Sequence, residues 1–472
     1  MKMLLAGKWI TKNETINVEN PYDQSVVDTV PRGTTEDMRK AIDSAEIGAK
    51  IAKKMPVHQR MAILYKTAEI VKMNKEEFAR IIASEGSKTI KEARGEASRC
   101  VNTLMVSAEE SRRILGETLP FDSVPGAENK TGYYKRVPIG IIGAITPFND
   151  PLNLVAHKLG PAIAGGNSVV LKPATVTPLS ALKLAEAFME AGLPAHILNV
   201  VTGYASENAD ALVTDSRVRM VSFTGGVNAG ENVMSKIGLK KIGMELGSNS
   251  PVIVMNDANI DWAVESCVSG AFWAAGQNCI GVQRILIQDD IYDEFTHKFV
   301  EKTKTLKVGK QLDESTDVGP MITIGEAERV EKWIKDASEK GAKIECGGNR
   351  IGTRVNPTVL TNVSDDAILA YEEVFGPVVL LKKISTLDEA IEIANNVNYG
   401  LHGAIFTNDI NQAHKAIDEL EVGSVLINDS TDYRLDQMPF GGVKNSGLGR
   451  EGVKYALQEM TEPKVVIFNI DY

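Results

Sequence analysis

The sequence is poor in cysteine and aromatic residues and has no long apolar run. Its 472 residues include four cysteines, none in a Cys-x-x-Cys pair, which argues against a zinc site and against a disulfide framework. The six histidines form no His-x-x-x-His pair, so we expect no bound metal. No apolar stretch approaches the ~20 residues that span a bilayer, and the first residues are too short an apolar stretch for a signal peptide. We therefore expect a cytoplasmic protein without a membrane partner.

The net charge and the length of the chain narrow the possible class of protein further. The formal net charge is −10, which disfavours a nucleic-acid partner but allows a local basic pocket. A chain of 472 residues is too long for one ordinary hydrophobic core, so we expect two or three domains.

Apolar runs of strand length alternate with amphipathic helical stretches, which predicts an α/β fold with parallel sheets. Apolar spacing predicts helices over residues 60–84 and 179–191. The predicted strands form two series, residues 140–145, 168–171, 197–201 and 220–223, then residues 251–255, 284–287, 378–381, 404–406 and 424–427.

Two segments stand outside this alternation. Residues 116–137 contain two prolines and little helical periodicity, and we predict a hairpin-like excursion there. Residues 464–470 read as a lone apolar strand, which would be an exposed edge unless it pairs. Pairing with another subunit is the simplest solution, and pairing within the same chain is the alternative.

Among the cysteines, only Cys279 has a context suited to a nucleophile. Small residues and a glycine precede it in residues 274–278, and a thiol needs an exposed or electropositive setting to become a thiolate. Most free cysteines are buried as small apolar residues, so local sequence alone favours neither reading.

Glu245 lies among apolar and glycine residues, where desolvation favours a general base, although a surface glutamate is the ordinary alternative. Asn149 ends a strand at a proline-bounded turn and suits either an oxyanion donor or plain turn chemistry.

Two glycine-rich segments are candidates for phosphate binding. Residues 447–452 fit Gly-x-Gly-x-x-Gly, but a glycine-rich loop precedes them instead of a buried strand, so we interpret them as a packed loop. Residues 222–230 follow a strand and lead into a helix, which suits a pyrophosphate. Lys172 ends another strand, where it can reach a ribose or phosphate, and a solvated turn lysine is the alternative.

Together the motifs resemble the aldehyde dehydrogenase superfamily along nearly the whole chain. No single motif suffices, but seven occur in the family's order and spacing: Pro147-Phe148-Asn149, Lys172-Pro173-Ala174, Phe223-Thr224-Gly225 with Gly230, Glu245-Leu246-Gly247, Gly276-Gln277-Asn278-Cys279, Glu373-Val374-Phe375-Gly376-Pro377 and Pro439-Phe440-Gly441-Gly442 with Lys444, Ser446 and Gly447.

The resemblance implies a three-part organisation. Residues 1–117 and 139–247 would form a Rossmann-type cofactor domain and residues 248–446 an α/β catalytic domain. Residues 118–138 and 460–472 would form a small β excursion for oligomerisation, giving a homotetramer or a dimer.

The resemblance also implies a reaction, the oxidation of an aldehyde to a carboxylic acid through a cysteine thioester, with hydride transfer to NAD or NADP. The implied catalytic residues are Cys279 as nucleophile, Glu245 as base and Asn149 in the oxyanion hole. Glu245 also separates the chain from CoA-acylating relatives, which lack this glutamate. The implied cofactor-binding residues are Thr146, Pro147, Phe148, Lys172, Ala174, Thr175, Phe223, Thr224, Gly225, Gly226, Gly230, Leu246, Glu373 and Phe375.

Some residues depart from the family's usual pattern. Thr175 stands where NAD-preferring relatives often carry a glutamate that would repel a 2′-phosphate, so we predict that NADP is accepted and even preferred. Gly247-Ser248-Asn249 replaces the commoner Gly-Gly-Lys, and Phe148 replaces a common tryptophan. Both changes occur in a subgroup that resembles lactaldehyde and non-phosphorylating glyceraldehyde-3-phosphate dehydrogenases.

The substrate is less constrained by the sequence. Arg434 falls where the family's substrate mouth lies, with Arg113 on a helix that borders it, and with Asn278 and Phe440 nearby. Because arginine suits carboxylate, phosphate or sulfonate, we predict a small aldehyde with a hydroxyl or an anionic group, lactaldehyde-like. The alternative is that Arg434 pairs with Asp432 or Asp436. Asn278, in place of arginine, weakens a doubly charged substrate.

Other functions stay open at this point. A semialdehyde or glyceraldehyde-3-phosphate dehydrogenase would use the same mechanism. A catalytically silent binding or structural protein on this fold is a remote alternative, because fold alone does not fix function.

Overall fold

The computed structural model describes residues 1–470, in which two large sheets dominate. The first sheet has the order β2-β1-β9-β8-β7-β10-β11-β23, and its five central strands are parallel. Strand β23 pairs antiparallel with β11, so the glycine-rich residues 447–452 begin as an edge strand of this sheet. The strands are β1 (Met3–Leu5), β2 (Lys8–Ile10), β7 (Ile141–Ile145), β8 (Ser168–Lys172), β9 (Leu198–Val200), β10 (Val218–Thr224), β11 (Lys241–Glu245) and β23 (Gly447–Leu448).

The second sheet has seven strands in the order β14-β17-β18-β13-β12-β20-β21. All of its neighbouring pairs are parallel except that of β14 with β17. Its strands are β12 (Ser250–Val254), β13 (Val282–Gln288), β14 (Lys343–Cys346), β17 (Thr358–Thr361), β18 (Val378–Ile384), β20 (His402–Phe406) and β21 (Ser424–Ile427).

Four small sheets complete the strands of the described chain. Three are two-stranded and one is three-stranded, in the order β24-β6-β5. Their strands are β3 (Thr15–Glu19) with β4 (Val26–Pro31), β15 (Arg350–Ile351) with β16 (Arg354–Val355), β19 (Tyr399–Gly400) with β22 (Val443–Lys444), and β5 (Glu117–Thr118), β6 (Lys130–Pro138) and β24 (Thr461–Asn469).

Helices cover both large sheets, as the α/β prediction required. None of the described helices is long and apolar enough to cross a membrane. They are α1 (Thr35–Lys54), α2 (Val57–Met73), α3 (Lys75–Glu85), α4 (Ile90–Ser111), α5 (Asn153–Ala164), α6 (Leu179–Glu190), α7 (Ala205–Thr214), α8 (Val227–Met234), α9 (Ile260–Phe272), α10 (Tyr292–Lys304), α11 (Ile324–Glu339), α12 (Ile368–Tyr371), α13 (Leu387–Asn395), α14 (Ile410–Glu419) and α15 (Val453–Glu459), with 3-10 turns at Phe121–Ser123, Trp273–Gly276 and Asp289–Ile291.

The prediction of one helix over residues 60–84 was wrong in one respect. The helix breaks at Asn74, which has φ −105° and ψ 24°. The Asn74 side-chain amide donates to the Ile70 carbonyl at 2.9 Å and so competes with the helical backbone.

Both faces of the first sheet are buried. Ile142 and Val169 belong to one apolar cluster, whereas their neighbours Ile141 and Val170 belong to another on the opposite face. This explains why the predicted strands read as continuous apolar runs without alternation.

The terminal strand pairs within its own chain. Strand β24 runs antiparallel to β6 over nine residue pairs, from Thr461 opposite Pro138 to Asn469 opposite Lys130. The excursion predicted at residues 116–137 is thus a hairpin of β5 and β6 that receives the end of the chain. Of the predicted oligomerisation strands, residues 471 and 472 lie outside the described residues. The predicted domain boundaries and the oligomerisation role stay predictions.

Candidate active site

A tight left-handed turn presents Cys279 at the end of α9. Ala274, Ala275 and Gly276 have φ values of 51°, 56° and 70°. Gly276 packs so closely on residues 376–377 that a Cβ at this position would lie 2.2 Å from the Gly376 carbonyl oxygen. The buried Gln277 side chain fixes the turn, because its amide donates to the Ala274 carbonyl at 3.0 Å and its oxygen accepts from the Ile322 N–H at 2.9 Å.

Cys279 opens into a cavity of about 470 Å³ that also contains Glu245 and Asn149. Glu245 and Asn149 come from the carboxyl ends of β11 and β7 in the first sheet, whereas Cys279 precedes β13 of the second sheet. The structure therefore brings together the three residues that the sequence predicted as catalytic. The other lining residues are Arg99, Asp150, Leu154, Thr224, Trp262, Glu265, Ser266, Ser269, Trp273, Asn278, Ile280, Asp429, Ser430, Asp432, Tyr433, Arg434, Phe440 and Glu451.

Two hydrogen-bond donors face this cavity without an acceptor. Within residues 1–470, neither the Asn149 side-chain amide nor the Cys279 backbone N–H makes a hydrogen bond to the protein. Donors left free beside a nucleophile suit an oxyanion that forms only during reaction.

The Cys279 thiol is neutral in this environment. Burial raises its pKa to about 12; Glu373, Glu245 and Glu451 add to the increase, and the Arg434 guanidinium opposes it. The thiol must therefore lose its proton as the reaction begins.

Glu245 is a buried carboxyl, 3% exposed, and its Oε2 has no hydrogen-bond partner in the described chain. Burial and the neighbouring Glu451 raise its pKa well above the ordinary value, whereas Arg434 and Lys158 lower it. Burial also opposes the charged form of Glu451, but Lys158 and Arg434 outweigh this effect and hold its pKa at about 2. Of the two carboxyls, Glu245 holds the proton and Glu451 holds the charge.

Arg434 lies in the cavity wall, and its partner is neither of the two aspartates considered as the alternative to a substrate. It donates to Glu451 Oε2 at 3.3 Å, not to Asp432 or Asp436, and its guanidinium carbon lies 3.6 Å from the centre of the Phe440 ring. Its Nε is fully buried without a partner in the described chain, whereas its Nη1 also makes no hydrogen bond there but is not fully buried, so Nη1 is the donor left for a ligand. Of the other predicted substrate residues, Asn278 and Phe440 line the same cavity.

Arg113 does not reach this cavity, so the prediction that it borders the substrate mouth was wrong. It follows the end of α4, donates to Glu110 at 2.6 Å and lines a separate depression near Arg136. Arg99, more than three turns earlier on α4, lines the cavity instead and donates to Asp436 at 3.1 Å.

The predicted cofactor residues gather at the carboxyl edge of the first sheet, where open α/β sheets bind ligands. Thr146–Phe148 follow β7, Lys172, Ala174 and Thr175 follow or end β8, and Phe223–Gly226 end β10. Leu246 follows β11 and contacts the position of Gly230, since a Cβ there would lie 2.7 Å from Leu246 Cδ2.

Three sets of polar groups at this edge of the sheet are free to bind a dinucleotide. Lys172 is 2% exposed, and within residues 1–470 its ammonium contacts only the Pro173 carbonyl at 2.7 Å and Thr175 Oγ1 at 3.4 Å, with no carboxylate. Burial lowers its pKa to about 8. Helix α8 begins after Gly226 with no side-chain cap, so its first N–H groups are available to a phosphate. The hydroxyls of Thr146 and Thr224 are buried without partners in the described chain.

Glu373 and Phe375 approach the same edge from the second sheet. Glu373 accepts from the Ser248 N–H at 2.9 Å, and Gly247 allows this approach, because a Cβ there would lie 2.1 Å from Glu373 Oε2. Burial raises the Glu373 pKa to about 7. The Phe375 ring meets the Phe148 ring edge-on at 5.7 Å. The residues present thus form a cradle with an ammonium, a carboxyl and uncapped amides, which fits a ribose and phosphate ligand.

Sequence reasoning missed several residues of the site. Lys158 and Glu451 form a buried pair at 3.0 Å beside Glu245. Lys158 lies within the apolar helix α5, where a lone lysine in a buried pattern was the available signal. Among residues 1–470, no group of three or more His, Cys, Asp and Glu side chains is placed to hold a metal ion.

Comparison with known proteins decides the family. The sequence profile of the aldehyde dehydrogenase family matches residues 9–466. The chain belongs to the aldehyde dehydrogenase family. It is therefore an NAD(P)-dependent aldehyde oxidoreductase, and the predicted family, fold class and enzyme class are confirmed.

The names of similar proteins within the family refer to small polar aldehydes. The chain is 50% identical to aspartate-semialdehyde dehydrogenase 1 of Pseudomonas canavaninivorans, over 96% of this chain and 97% of that protein. It is 48% identical to 3-sulfolactaldehyde dehydrogenase of Priestia aryabhattai, over 98% of this chain and 97% of that protein. Among solved structures, the glyceraldehyde-3-phosphate dehydrogenase GapN of Methanocaldococcus jannaschii, complexed with NADP, is 43% identical with a TM-score of 0.94, over 97% of this chain and 100% of that chain.

Proposed function

We propose that this enzyme oxidises a small hydroxylated or anionic aldehyde to its carboxylic acid through a thioester on Cys279. The observation that carries the proposal is the single cavity in which Cys279, Glu245 and Asn149 meet beside Arg434. Covalent catalysis of this kind needs a nucleophile, an oxyanion site and a base for the second step, and each is present.

The first half of the reaction belongs to Cys279 and Asn149. Cys279 Sγ loses its proton to a water molecule in the cavity and adds to the aldehyde carbon, and the resulting oxyanion accepts hydrogen bonds from the Asn149 amide and the Cys279 N–H. Donors of this type typically contribute about 10²–10³ in rate each. When bound, NAD or NADP supplies the acceptor for the hydride that leaves this carbon.

The second half belongs to Glu245. Its deprotonated carboxylate accepts a proton from a water molecule, which then adds to the thioester carbon and releases the acid and the Cys279 thiol. Because Glu245 holds a proton at rest, it must first lose that proton to solvent through the open cavity before it acts as the base.

Arg434 supports an anionic or hydroxylated substrate. Its Nη1, which makes no hydrogen bond in the described chain, and its place in the cavity wall provide a donor for a carboxylate, sulfonate or hydroxyl oxygen. The names of the relatives, which include a semialdehyde, a sulfolactaldehyde and a lactaldehyde dehydrogenase, fit this range. A glyceraldehyde-3-phosphate dehydrogenase of the same mechanism is the second candidate, favoured by the likeness to GapN.

Thr175 supports the use of NADP. Its hydroxyl lies 3.4 Å from the Lys172 ammonium. A glutamate at residue 175 would repel a 2′-phosphate, whereas the neutral threonine leaves the buried Lys172 ammonium free to bind that phosphate. A cytoplasmic location and a homo-oligomer, a tetramer or a dimer, remain part of the proposal.

An aldehyde panel tests the function. Lactaldehyde, glycolaldehyde, succinate semialdehyde, glyceraldehyde 3-phosphate and a neutral aromatic aldehyde are each supplied with NADP or NAD, and the absorbance of the reduced cofactor is followed. We expect the highest kcat/KM with a polar small aldehyde and NADP. A silent protein would reduce no cofactor with any of them, and a preference for the aromatic aldehyde would contradict the proposed substrate class.

A further inference from the structure

The cavity around Cys279 contains a carboxylate that no side chain neutralises. Asp432 lies against the bare backbone of Gly270 in α9, where a Cβ would lie 2.8 Å from Asp432 Oδ1. Oδ1 accepts from the Ser430 hydroxyl. Within residues 1–470, no lysine, arginine or histidine nitrogen lies within 4.0 Å of Asp432. A largely buried carboxylate without a cation is costly unless a ligand or a proton compensates it.

A second carboxylate strengthens this negative region. Asp429 accepts from the Ser266 hydroxyl at 2.9 Å and from the Ser430 N–H at 2.8 Å, and in the described chain it too has no cationic partner. Burial raises the pKa of Asp432, and the nearby Asp429 contributes to the increase. The two carboxylates together favour a cation at this wall of the cavity.

The other acidic residues of the wall are paired or protonated, since Asp150 contacts the Lys88 ammonium and Glu245 holds the proton described above. Glu265 pairs with Lys302 at 2.5 Å, and Glu451 pairs with Lys158 at 3.0 Å. The uncompensated negative charge is therefore at Asp432 and Asp429, while the free donor is at Arg434, two residues along the same loop. A ligand that matches both groups must itself carry two opposite charges.

We propose that the substrate is a zwitterionic amino-acid semialdehyde, whose ammonium group binds Asp432 and whose carboxylate binds Arg434. This rests on the aldehyde oxidation proposed above. A hydroxyl group would also donate to Asp432, but it would leave the buried negative charge uncompensated, which an ammonium group does not. Asp432 is thus a specificity-determining residue, and Gly270 makes room for it.

Three aldehydes that share an anionic group test the proposal. Aspartate semialdehyde carries an ammonium group, sulfolactaldehyde carries a hydroxyl, and succinate semialdehyde carries neither. With the intact enzyme and saturating NADP, we expect kcat/KM for aspartate semialdehyde to exceed that for succinate semialdehyde by about tenfold or more, since a charge-assisted hydrogen bond contributes about that factor.

Variants assign the preference to Asp432. Asp432→Asn should lower the ratio of the two kcat/KM values by about tenfold, whereas Asp432→Glu, which keeps the charge, should retain part of it. Asp418→Asn is the matched control, because Asp418 is an exposed carboxylate on α14 outside the cavity, and there the ratio should stay unchanged. If Asp432→Asn fails to fold, the ratio of the two kcat/KM values in Asp432→Glu, compared with that of the wild type, still tests the role of Asp432.

The outcomes separate this inference from the function on which it rests. Equal or better use of succinate semialdehyde or sulfolactaldehyde by the wild type would overturn the ammonium assignment while leaving the aldehyde oxidation intact. An unchanged ratio in Asp432→Asn would do the same. No turnover of these three aldehydes or of any aldehyde in the panel above would overturn both.

Discussion

At the scale of single residues, the reactivity of Cys279 is set mainly by burial, which raises the pKa of its thiol, and by the Arg434 guanidinium, which opposes burial. Arg434 lowers the pKa of the thiol, and Glu373, Glu245 and Glu451 raise it. Because burial raises the pKa of the thiol in the same direction as the carboxyls, the thiol is neutral in the free protein. Removal of Arg434 should therefore make the thiol still less reactive.

This role of Arg434 gives the first prediction. Arg434→Ala should raise the pKa of the Cys279 thiol and so lower its thiolate fraction, by about tenfold for a shift of one unit. Alkylation of Cys279 by iodoacetamide at a fixed mildly alkaline pH measures this. Arg434→Lys keeps a positive charge and is the control, and faster alkylation in Arg434→Ala would contradict the account.

Thr175 gives a prediction about the cofactor. Thr175→Glu places a carboxylate beside the Lys172 ammonium, where it would pair with the lysine and repel a 2′-phosphate. We expect kcat/KM for NADP to fall by about tenfold or more, with a smaller change for NAD. Steady-state kinetics with both cofactors check this, and Thr175→Ser, which keeps the hydroxyl, is the control. A strong preference of the wild-type enzyme for NAD would contradict the predicted use of NADP.

At the scale of elements, the chemistry depends on the left-handed turn that ends α9. Gly276 has both a positive φ of 70° and no room for a side chain, so alanine there would strain the backbone and collide with the Gly376 carbonyl. Gly276→Ala should displace Cys279 and lower kcat/KM by about hundredfold, the usual effect of a misplacement of about 1 Å.

Ala275→Gly is the matched variant for this prediction. Ala275 has a φ of 56°, which glycine adopts without strain, so the change should cost little beyond one buried methyl group, about 1 kcal/mol. Kinetics and thermal unfolding of the two variants distinguish them. A Gly276→Ala enzyme with normal kinetics would show that the turn does not position the thiol.

The sequence predicted regular elements better than the approach of one element to another. Apolar runs located the parallel strands because both faces of each sheet are buried, and motifs in family order located Cys279, Glu245 and Asn149. The sequence did not show that two alanines adopt a left-handed turn, since tertiary contacts impose it. It placed the helix arginine of the cavity at Arg113 instead of Arg99, because which face of a long helix meets a cavity depends on packing.

At the scale of the whole molecule, the three-stranded sheet leaves apolar side chains uncovered. Val465 and Ile467 form a row on one face of β24 and are 52% and 54% exposed, and Phe468 on the opposite face is 48% exposed. An exposed row of this kind on a long strand favours contact with another subunit, which agrees with the predicted oligomerisation role of residues 118–138 and 460–472.

Disruption of this row tests the predicted oligomer. Ile467→Asp should lower the molar mass measured by light scattering from that of a tetramer or dimer toward a smaller species, because a charge would be buried in the interface. Leu239→Asp is the control, since Leu239 is the most exposed apolar residue of the described chain and lies outside this sheet. An unchanged mass for Ile467→Asp would place the interface elsewhere.

The central claim, a thioester on Cys279 that Glu245 helps to hydrolyse, is tested most directly by intact-protein mass spectrometry of Glu245→Gln. After incubation with a turned-over aldehyde and NADP, the account predicts a stable adduct on Cys279 with the mass of the aldehyde less two hydrogens. About one reduced cofactor should form per active site, because the acyl group forms but is not released. The absence of this adduct, or normal turnover by Glu245→Gln, would contradict the account.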